Sequence, residues 1–260
     1  MLSADHVRFA YGASPVLDDV SVTVERGGLA GVLGPNGSGK TTLLRLMAGA
    51  LAPSSGHVRL NGIDVAAVPR RALARQLAVV PQETHLAFDY TVLEIALMGR
   101  YPHLGAFEVE GPDDLAAALG ALEATGTRAL ADRPFPTLSG GEKQRVIIAS
   151  ALAQLDTGRR DPGEDASRSG VLLLDEPTAS LDLRYQLEIA SLLRRLHDGH
   201  GITIVLSTHD LRFASSVCSD LVLLSGGRVL AQGAPGRVLT PALVGELYGI
   251  DAAIAAPLLA

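Results

Sequence analysis

The sequence is poor in the residues that build aromatic cores and disulfide bonds. It has no tryptophan among its 260 residues, and aromatic residues make up only 4% of the chain. Because 47% of the residues are hydrophobic, the core must be largely aliphatic, and the length suits one large domain. The single cysteine, Cys218, excludes an intrachain disulfide, and we expect it to be a small packing residue.

Two further absences concern membranes and nucleic acids. No uncharged apolar run reaches 18 residues, so we expect no transmembrane helix and any action at a membrane to go through a partner. The formal net charge is −6 and there is no basic stripe, which argues against nucleic acid as a partner.

Short apolar strands alternate with helical segments along most of the chain. Alternation of Val7, Phe9 and Tyr11 and then of Val20, Val22 and Val24 predicts two antiparallel strands. The continuous apolar runs at 29–34, 171–176 and 202–210 favour buried parallel strands. Helical patterns dominate at about 86–155, and the polar segment 156–170 predicts a surface loop. We therefore predict an α/β fold with a mainly parallel sheet, an N-terminal antiparallel β edge and an inserted helical subdomain, all in one domain.

The segment GPNGSGKTT has the pattern of a phosphate-binding loop between a strand and a helix. Its glycines let successive backbone N–H groups face phosphate oxygens, and the following helix adds the positive end of its dipole. The pattern predicts that Lys40 contacts the β- and γ-phosphates and that the Thr41 hydroxyl ligates Mg²⁺. The predicted nucleotide-binding residues of this loop are Gly34, Pro35, Asn36, Gly37, Ser38, Gly39, Lys40, Thr41 and Thr42.

Two adjacent carboxylates end the predicted strand VLLLDE. We predict that Asp175 holds Mg²⁺, through a water molecule, and that Glu176 polarises the water that attacks the γ-phosphate. Without the phosphate loop, the same pair would be interpreted as an ordinary turn before Pro177.

A second glycine-containing motif, LSGGE, opens a predicted helix. Ser139 is placed to cap this helix, and Gly140 and Gly141 allow an anion to approach its N-terminus closely. On these residues alone, a plain helix cap is the alternative interpretation.

The ordered set GPNGSGKTT, VPQE, LSGGEKQR, VLLLDEPTASLD and STHD resembles the ATP-binding domains of ABC transporters over essentially the whole chain. The resemblance implies that Tyr11 stacks on adenine, that Gln82 contacts Mg²⁺ and the attacking water, and that His209 contacts the γ-phosphate. Each of these residues also has a structural alternative: Tyr11 could pack on its sheet, Gln82 could be an ordinary loop residue, and His209 could be purely structural. One departure from the family pattern is the length of the loop at 156–170.

The resemblance also implies how subunits assemble. Residues Ser139, Gly140, Gly141 and Glu142 are expected to close over the ATP of a second subunit, which gives a head-to-tail homodimer with two sites. Ser180, Leu181 and Asp182 match the segment that communicates across that dimer.

The implied activity is MgATP hydrolysis, with Lys40, Gln82, Glu176 and His209 as catalytic residues. The segment TVLEIALMGRYPHLG is similar to importer subunits for iron–siderophore complexes, haem and vitamin B12. This similarity predicts integral membrane permease subunits as partners, a solute-binding protein as an indirect partner, and a place on the cytoplasmic face of the membrane. The alternatives are transport of another solute, a soluble ABC ATPase acting on DNA or ribosomes, and a phosphate-loop kinase, which LSGGE and the Asp175–Glu176 pair disfavour.

Overall fold

The computed structural model describes residues 1–84, 88–155, 170–179 and 181–259, with only the backbone described at 200. The chain forms two compact units: Met1–Val68, Leu173–Glu176 and Thr203–Ala260 make the first, and Pro69–Leu172 and Pro177–Ile202 make the second. The predicted loop at 156–170 lies outside the described residues except for Gly170, and Ser180 also lies outside them. The prediction of one domain with a helical subdomain at about 86–155 stays a prediction.

The described strands and α-helices follow one another along the chain singly or in runs of up to three. The strands are β1 (Leu2–Tyr11), β2 (Ser14–Val24), β3 (Leu29–Leu33), β4 (Ser55–Leu60), β5 (Ile63–Asp64), β6 (Leu77–Val80), β7 (Val171–Leu174), β8 (Thr203–Thr208), β9 (Asp220–Ser225) and β10 (Arg228–Gly233). The α-helices are α1 (Lys40–Met47), α2 (Arg70–Ala74), α3 (Val92–Met98), α4 (Pro112–Ala124), α5 (Gly140–Leu155), α6 (Leu183–His200), α7 (Leu211–Val217), α8 (Pro235–Val238), α9 (Pro241–Tyr248) and α10 (Ala252–Ala255).

The first unit begins with an antiparallel sheet in the order β2-β1-β4-β5. Val7 pairs with Val20 in this sheet, and both side chains are fully buried. Asn61 and Gly62 have φ angles of 52° and 83°, which form the tight turn between β4 and β5. The predicted N-terminal antiparallel edge is therefore confirmed.

A second, mainly parallel sheet of the first unit has the strand order β10-β9-β3-β8-β7. In it, β3 lies between two parallel neighbours, and Leu33 pairs with Thr208 on one side and with Leu223 on the other. The amide of Gly34 also donates a hydrogen bond to the Thr208 carbonyl at 3.3 Å. The loops that follow β3 and β8 thus leave the sheet side by side.

Cys218 lies in the core of this first unit. Its side chain is buried, and a Cβ placed on Gly31 would lie 2.8 Å from its Sγ. Burial raises the pKa of the thiol to about 12, so it stays protonated and unreactive. This is the packing role expected of it.

Helices α3, α4 and α5 pack together in the second unit. Arg100 joins two of them from a buried position, because its Nε lies 2.9 Å from Asp114 Oδ1 and a terminal nitrogen lies 2.7 Å from the Ala153 carbonyl. In the same unit, the amide of Val171 at the start of β7 donates to the carbonyl of Gln76, just before β6.

No single helix in the described residues is long and apolar enough to cross a membrane. One bent pair, Pro241–Tyr248 with Ala252–Leu259, meets the length and composition criteria together, with an angle of 108° at the break.

Candidate functional site

The loop between β3 and α1 adopts backbone conformations that only glycine adopts easily. Gly37 has a φ of 81° and Gly39 a φ of 104°. A Cβ on Gly34 would lie 2.1 Å from the Leu224 carbonyl oxygen, so no side chain fits there. The Ser38 hydroxyl is buried and has no hydrogen-bond partner within the described parts of the chain. A buried donor without a partner, in a glycine-rich loop before a helix, fits an anionic ligand such as phosphate.

Lys40, at the start of α1, carries a buried cation with a full set of acceptors. Its side chain is only 4% exposed, and its Nζ donates to the carbonyls of Gly34 at 2.9 Å and Pro35 at 3.1 Å. The third partner is a carboxylate oxygen of Glu176 at 3.2 Å. A buried charge is stable only when it is paired and hydrogen-bonded, so these partners fix the ammonium group inside the loop.

Two of the predicted metal ligands lie together. The Thr41 hydroxyl donates to Asp175 Oδ1 at 3.1 Å, and Asp175 is buried at the end of β7. Hydroxyl and carboxylate oxygens are the hard donors that Mg²⁺ prefers, and Mg²⁺ commonly takes its other ligands from phosphates and water. The described residues contain no group of three or more His, Cys, Asp or Glu that could hold a metal alone. The donor set therefore fits a metal shared with a phosphate ligand.

Glu176 bridges two groups that carry or can carry positive charge. One carboxylate oxygen lies 3.2 Å from Lys40 Nζ, and the other lies 3.3 Å from Nδ1 of His209. The backbone of Glu176 has a φ of 47°, which is unusual for a residue with a side chain and is typical of functional sites. His209 itself is 54% exposed, so it has room to meet a ligand.

Sequence reasoning missed Ser207, which contacts both carboxylate residues. Its hydroxyl donates to Asp175 Oδ1 at 2.6 Å and accepts a hydrogen bond from the Glu176 amide at 2.9 Å. Ser207 is fully buried in β8. Its signal in the sequence is weak, because Thr203 and Thr208 of the same strand also carry hydroxyl groups and only the position two residues before His209 distinguishes Ser207.

The LSGGE motif forms the capped start of α5 in the second unit. The Ser139 hydroxyl accepts from the Glu142 amide at 3.4 Å, and Glu142 Oε2 accepts from the Ser139 amide at 2.8 Å and from its hydroxyl at 2.9 Å. These hydrogen bonds, first from the amide and then from the hydroxyl, lower the pKa of Glu142. Gly141 lies so close to the Tyr185 ring that a Cβ there would be 2.2 Å from a ring carbon.

Three more predicted ligand-binding residues have contacts or positions that an ordinary structural residue could also have. Tyr11 ends β1 and is 47% exposed, with its ring edge-to-face against Phe9 at 4.8 Å. In the second unit, Asp182 caps α6 through a hydrogen bond from the Tyr185 amide at 3.1 Å, and Gln82 is exposed two residues after β6. The ligand contacts predicted for these residues stay predictions.

Comparison with known proteins assigns the family. The model of the ABC transporter family matches residues 17–158. An AAA-domain model also matches, over residues 121–215. The hemin import ATP-binding protein of Bordetella pertussis is 42% identical over 255 residues, which cover 98% of this chain and 94% of that protein. The cobalamin import ATP-binding protein of Halobacterium salinarum is 41% identical over 239 residues, 92% of this chain and 56% of that protein.

Solved structures agree with this assignment. A chain of a transporter described as metal-chelate type, in an inward-facing conformation, has a TM-score of 0.80 and 30% identity, covering 95% of this chain and 88% of that chain. A dimeric ATP-binding cassette bound to ADP and phosphate has a TM-score of 0.73 and 26% identity, covering 90% of this chain and 99% of its own. The chain belongs to the ABC transporter family and is one of its ATP-hydrolysing, ATP-binding proteins.

Proposed function

We propose that the protein is the ATPase subunit of an importer, in which MgATP hydrolysis drives uptake of a metal-chelate cargo. The observation that carries the proposal is the cluster of Lys40, Asp175, Glu176 and His209 beyond the ends of β3, β7 and β8. Open α/β sheets bind their ligands at the carboxyl ends of their strands. Relatives named for hemin and cobalamin import support the direction of transport.

The chain's own residues account for the chemistry of hydrolysis. Lys40 and the glycine-rich loop hold the β- and γ-phosphates, replacing part of the carbonyl and carboxylate contacts that Lys40 makes now. Glu176 then accepts the proton of the attacking water as that oxygen bonds to the γ-phosphorus, and the bond from the γ-phosphorus to the bridging oxygen breaks, which releases ADP and phosphate. His209 lies beside Glu176 and, being exposed, can donate to the γ-phosphate.

Mg²⁺, when bound, supplies positive charge that offsets the charge of the phosphates. Thr41 and Asp175 would hold it, and Gln82 stays the further ligand that the family resemblance implies. The hydrogen bond between Thr41 and Asp175 supports this assignment, because it brings a hydroxyl and a carboxylate oxygen within 3.1 Å of each other.

Two copies of the chain are proposed to pair head to tail as a homodimer. In that arrangement Ser139, Gly140, Gly141 and Glu142 of one copy face the ATP held by the other copy, and Asp182 lies at the contact between copies. The similarity to a dimeric cassette that holds ADP and phosphate supports pairing. A helix N-terminus with glycine beside its cap is suited to meeting an anion.

The second unit is proposed to dock on integral membrane permease subunits through residues 88–109. Apolar side chains are unusually exposed in this segment: Phe88 by 70%, Tyr101 by 59%, Phe107 by 106% and Val109 by 78%. Aromatic residues of this kind are enriched at protein interfaces. Docking would place the protein at the cytoplasmic face of the membrane, with a solute-binding protein supplying cargo from the other side.

Uptake experiments test the proposal directly. Cells that lack the protein should take up less labelled haem, cobalamin or ferric siderophore, and the wild-type gene should restore uptake while Glu176→Gln should not. Unchanged uptake of all three, with a defect in an unrelated solute, would overturn the cargo class and leave the ATPase in place.

A further inference from the structure

Ser207 occupies the one position in β8 from which a hydroxyl reaches both carboxylate residues of the site. It pairs with Val32 of β3, and its side chain is fully buried. A buried hydroxyl must find partners, and this one has two: Asp175 Oδ1, to which it donates at 2.6 Å, and the Glu176 amide, from which it accepts at 2.9 Å.

Both hydroxyl hydrogen bonds to Asp175 end on the same oxygen. Thr41 donates to Oδ1 at 3.1 Å and Ser207 donates to it at 2.6 Å. Two donors on one oxygen fix the rotation of a carboxylate, which determines where its second oxygen points. Groups that orient a metal-binding carboxylate in this way tune metal affinity and activity without touching the metal.

The second hydrogen bond of Ser207 acts on the backbone of Glu176. That residue has a φ of 47°, a conformation that costs free energy for a residue with a side chain and persists only where its surroundings hold it. The amide of Glu176 is anchored by the Ser207 hydroxyl. The direction of the Glu176 side chain toward Lys40 and His209 follows from that backbone conformation.

We propose that Ser207 is a positioning residue, which sets Asp175 for Mg²⁺ and Glu176 for the attacking water through one hydroxyl group. The inference rests on the proposed role of Mg²⁺ in the site. It gives Ser207 no contact with nucleotide, so loss of its hydroxyl should leave metal-free nucleotide binding intact.

The test compares Ser207→Ala with a matched variant at the other end of the same strand. Thr203 is also a buried hydroxyl residue of β8, and its Oγ1 accepts from the Gly27 amide at 2.9 Å, away from both carboxylates. Thr203→Val therefore removes a comparable buried hydrogen bond without touching the site. Affinity for a fluorescent ATP analogue is measured with Mg²⁺ and with EDTA, together with kcat, KM and the melting temperature of each variant.

We expect Ser207→Ala to lower kcat and the Mg²⁺-dependent gain in nucleotide affinity by about tenfold each, within the range seen when groups behind metal ligands are removed. Its affinity in EDTA should stay within about twofold of wild type, and Thr203→Val should keep both kcat and the Mg²⁺ effect. If Ser207→Ala does not fold, Ser207→Cys keeps nearly the same volume with a weaker donor and should show the same losses.

Three results would overturn the inference. If Ser207→Ala or Ser207→Cys kept the wild-type kcat and the full effect of Mg²⁺ on nucleotide affinity, the hydroxyl would have no role in positioning Asp175 and Glu176. Equal losses in Thr203→Val would point to general destabilisation of β8. A wild-type protein whose nucleotide affinity ignores Mg²⁺ would remove the metal assignment and this inference with it, whereas the first two results leave that assignment standing.

Discussion

The phosphate loop of the first unit and the LSGGE helix of the second unit are both glycine-containing helix starts, but they differ in what surrounds them. Around the phosphate loop, Lys40 is bound by two carbonyls and by Glu176, all within the first unit. At the LSGGE helix, the side chains of Ser139 and Glu142 hydrogen-bond to each other and to each other's backbone amides. A further hydrogen bond of Ser139 is a backbone one, from the Lys143 amide to its carbonyl at 2.9 Å.

The difference separates a reaction site from a recognition element. Charged groups that hold one another in a buried network can position a phosphate and a water molecule, which hydrolysis requires. A helix start whose polar groups are already satisfied offers shape and a dipole, but no acid, base or cation aimed at a ligand. The two regions should therefore respond differently to substitution.

Glu176→Gln should have the largest effect, because it removes the proton acceptor and keeps the shape of the side chain. We expect kcat to fall by at least about a hundredfold, as for general bases elsewhere, while ATP affinity changes by a few-fold. Steady-state hydrolysis and nucleotide binding measure the two quantities. Exposed Glu246→Gln is the control. Hydrolysis near the wild-type rate in Glu176→Gln would show that the first-unit cluster is not the reaction site.

Alanine substitutions at the two glycines of LSGGE should change the stability of the protein in opposite directions. A Cβ on Gly141 would meet the Tyr185 ring at 2.2 Å, so Gly141→Ala should lower stability by about 1–3 kcal/mol through overpacking. A Cβ on Gly140 meets only a Leu181 methyl group at 3.3 Å, so Gly140→Ala should keep or raise stability, by up to about 1 kcal/mol.

Activity then sharpens the contrast between the two glycines. If the N-terminus of α5 receives the ATP of a second copy, Gly140→Ala should lose at least about tenfold in ATPase rate in a stable protein. Thermal melting and ATPase assays on both variants measure this. Full ATPase activity in Gly140→Ala would mean that the ATP of a second copy does not closely approach the N-terminus of α5.

How far the sequence predicted these regions follows from the range of the contacts involved. The phosphate loop and the Ser139–Glu142 cap depend on residues within nine positions of each other, so their spacing alone was informative. The sequence predicted Thr41 and Asp175 as ligands of one Mg²⁺, from the phosphate-loop pattern and from the carboxylates that end a buried strand, but it did not predict the strand order.

The contacts that the sequence did not predict are the long-range ones. Ser207 reaches Asp175 only because β8 lies between β3 and β7, and no local spacing encodes that neighbour relation. The left-handed backbone conformation of Glu176 could not be predicted either, because glutamate has no preference for a positive φ. Such features depend on strand register and on packing, which emerge only when distant segments meet.

Tyr11→Ala should have an intermediate effect confined to binding. Its exposed ring ends β1, and stacking on a base is worth about 1–3 kcal/mol, so KM should rise by about tenfold with little change in kcat. Tyr11→Phe keeps the ring and should behave like wild type. Loss of kcat at constant KM in Tyr11→Ala would assign Tyr11 to the reaction and not to adenine.

The smallest expected effect concerns Tyr248, at the end of α9. Its hydroxyl donates to the His209 carbonyl at 2.8 Å, which connects α9 to the loop that carries the histidine. Burial, and then the nearby charge of Asp210, raise the pKa of Tyr248 to about 12. The phenol therefore remains a hydrogen-bond donor throughout the neutral range.

Tyr248→Phe keeps the ring and removes this one hydrogen bond, so stability at pH 8 should fall by about 1 kcal/mol. The rate should fall by no more than about threefold, because His209 still contacts Glu176 at 3.3 Å. A raised pKa means that the folded state retains a proton that the unfolded chain loses, so the stability from Tyr248 is complete below pH 10 and is lost as pH rises toward 12. Denaturant titrations of both proteins at pH 8, 10 and 11 should show the wild-type advantage narrowing. An advantage that is constant with pH would mean that folding does not raise the pKa of Tyr248, and no advantage at pH 8 would mean that the hydrogen bond to the His209 carbonyl adds nothing to stability.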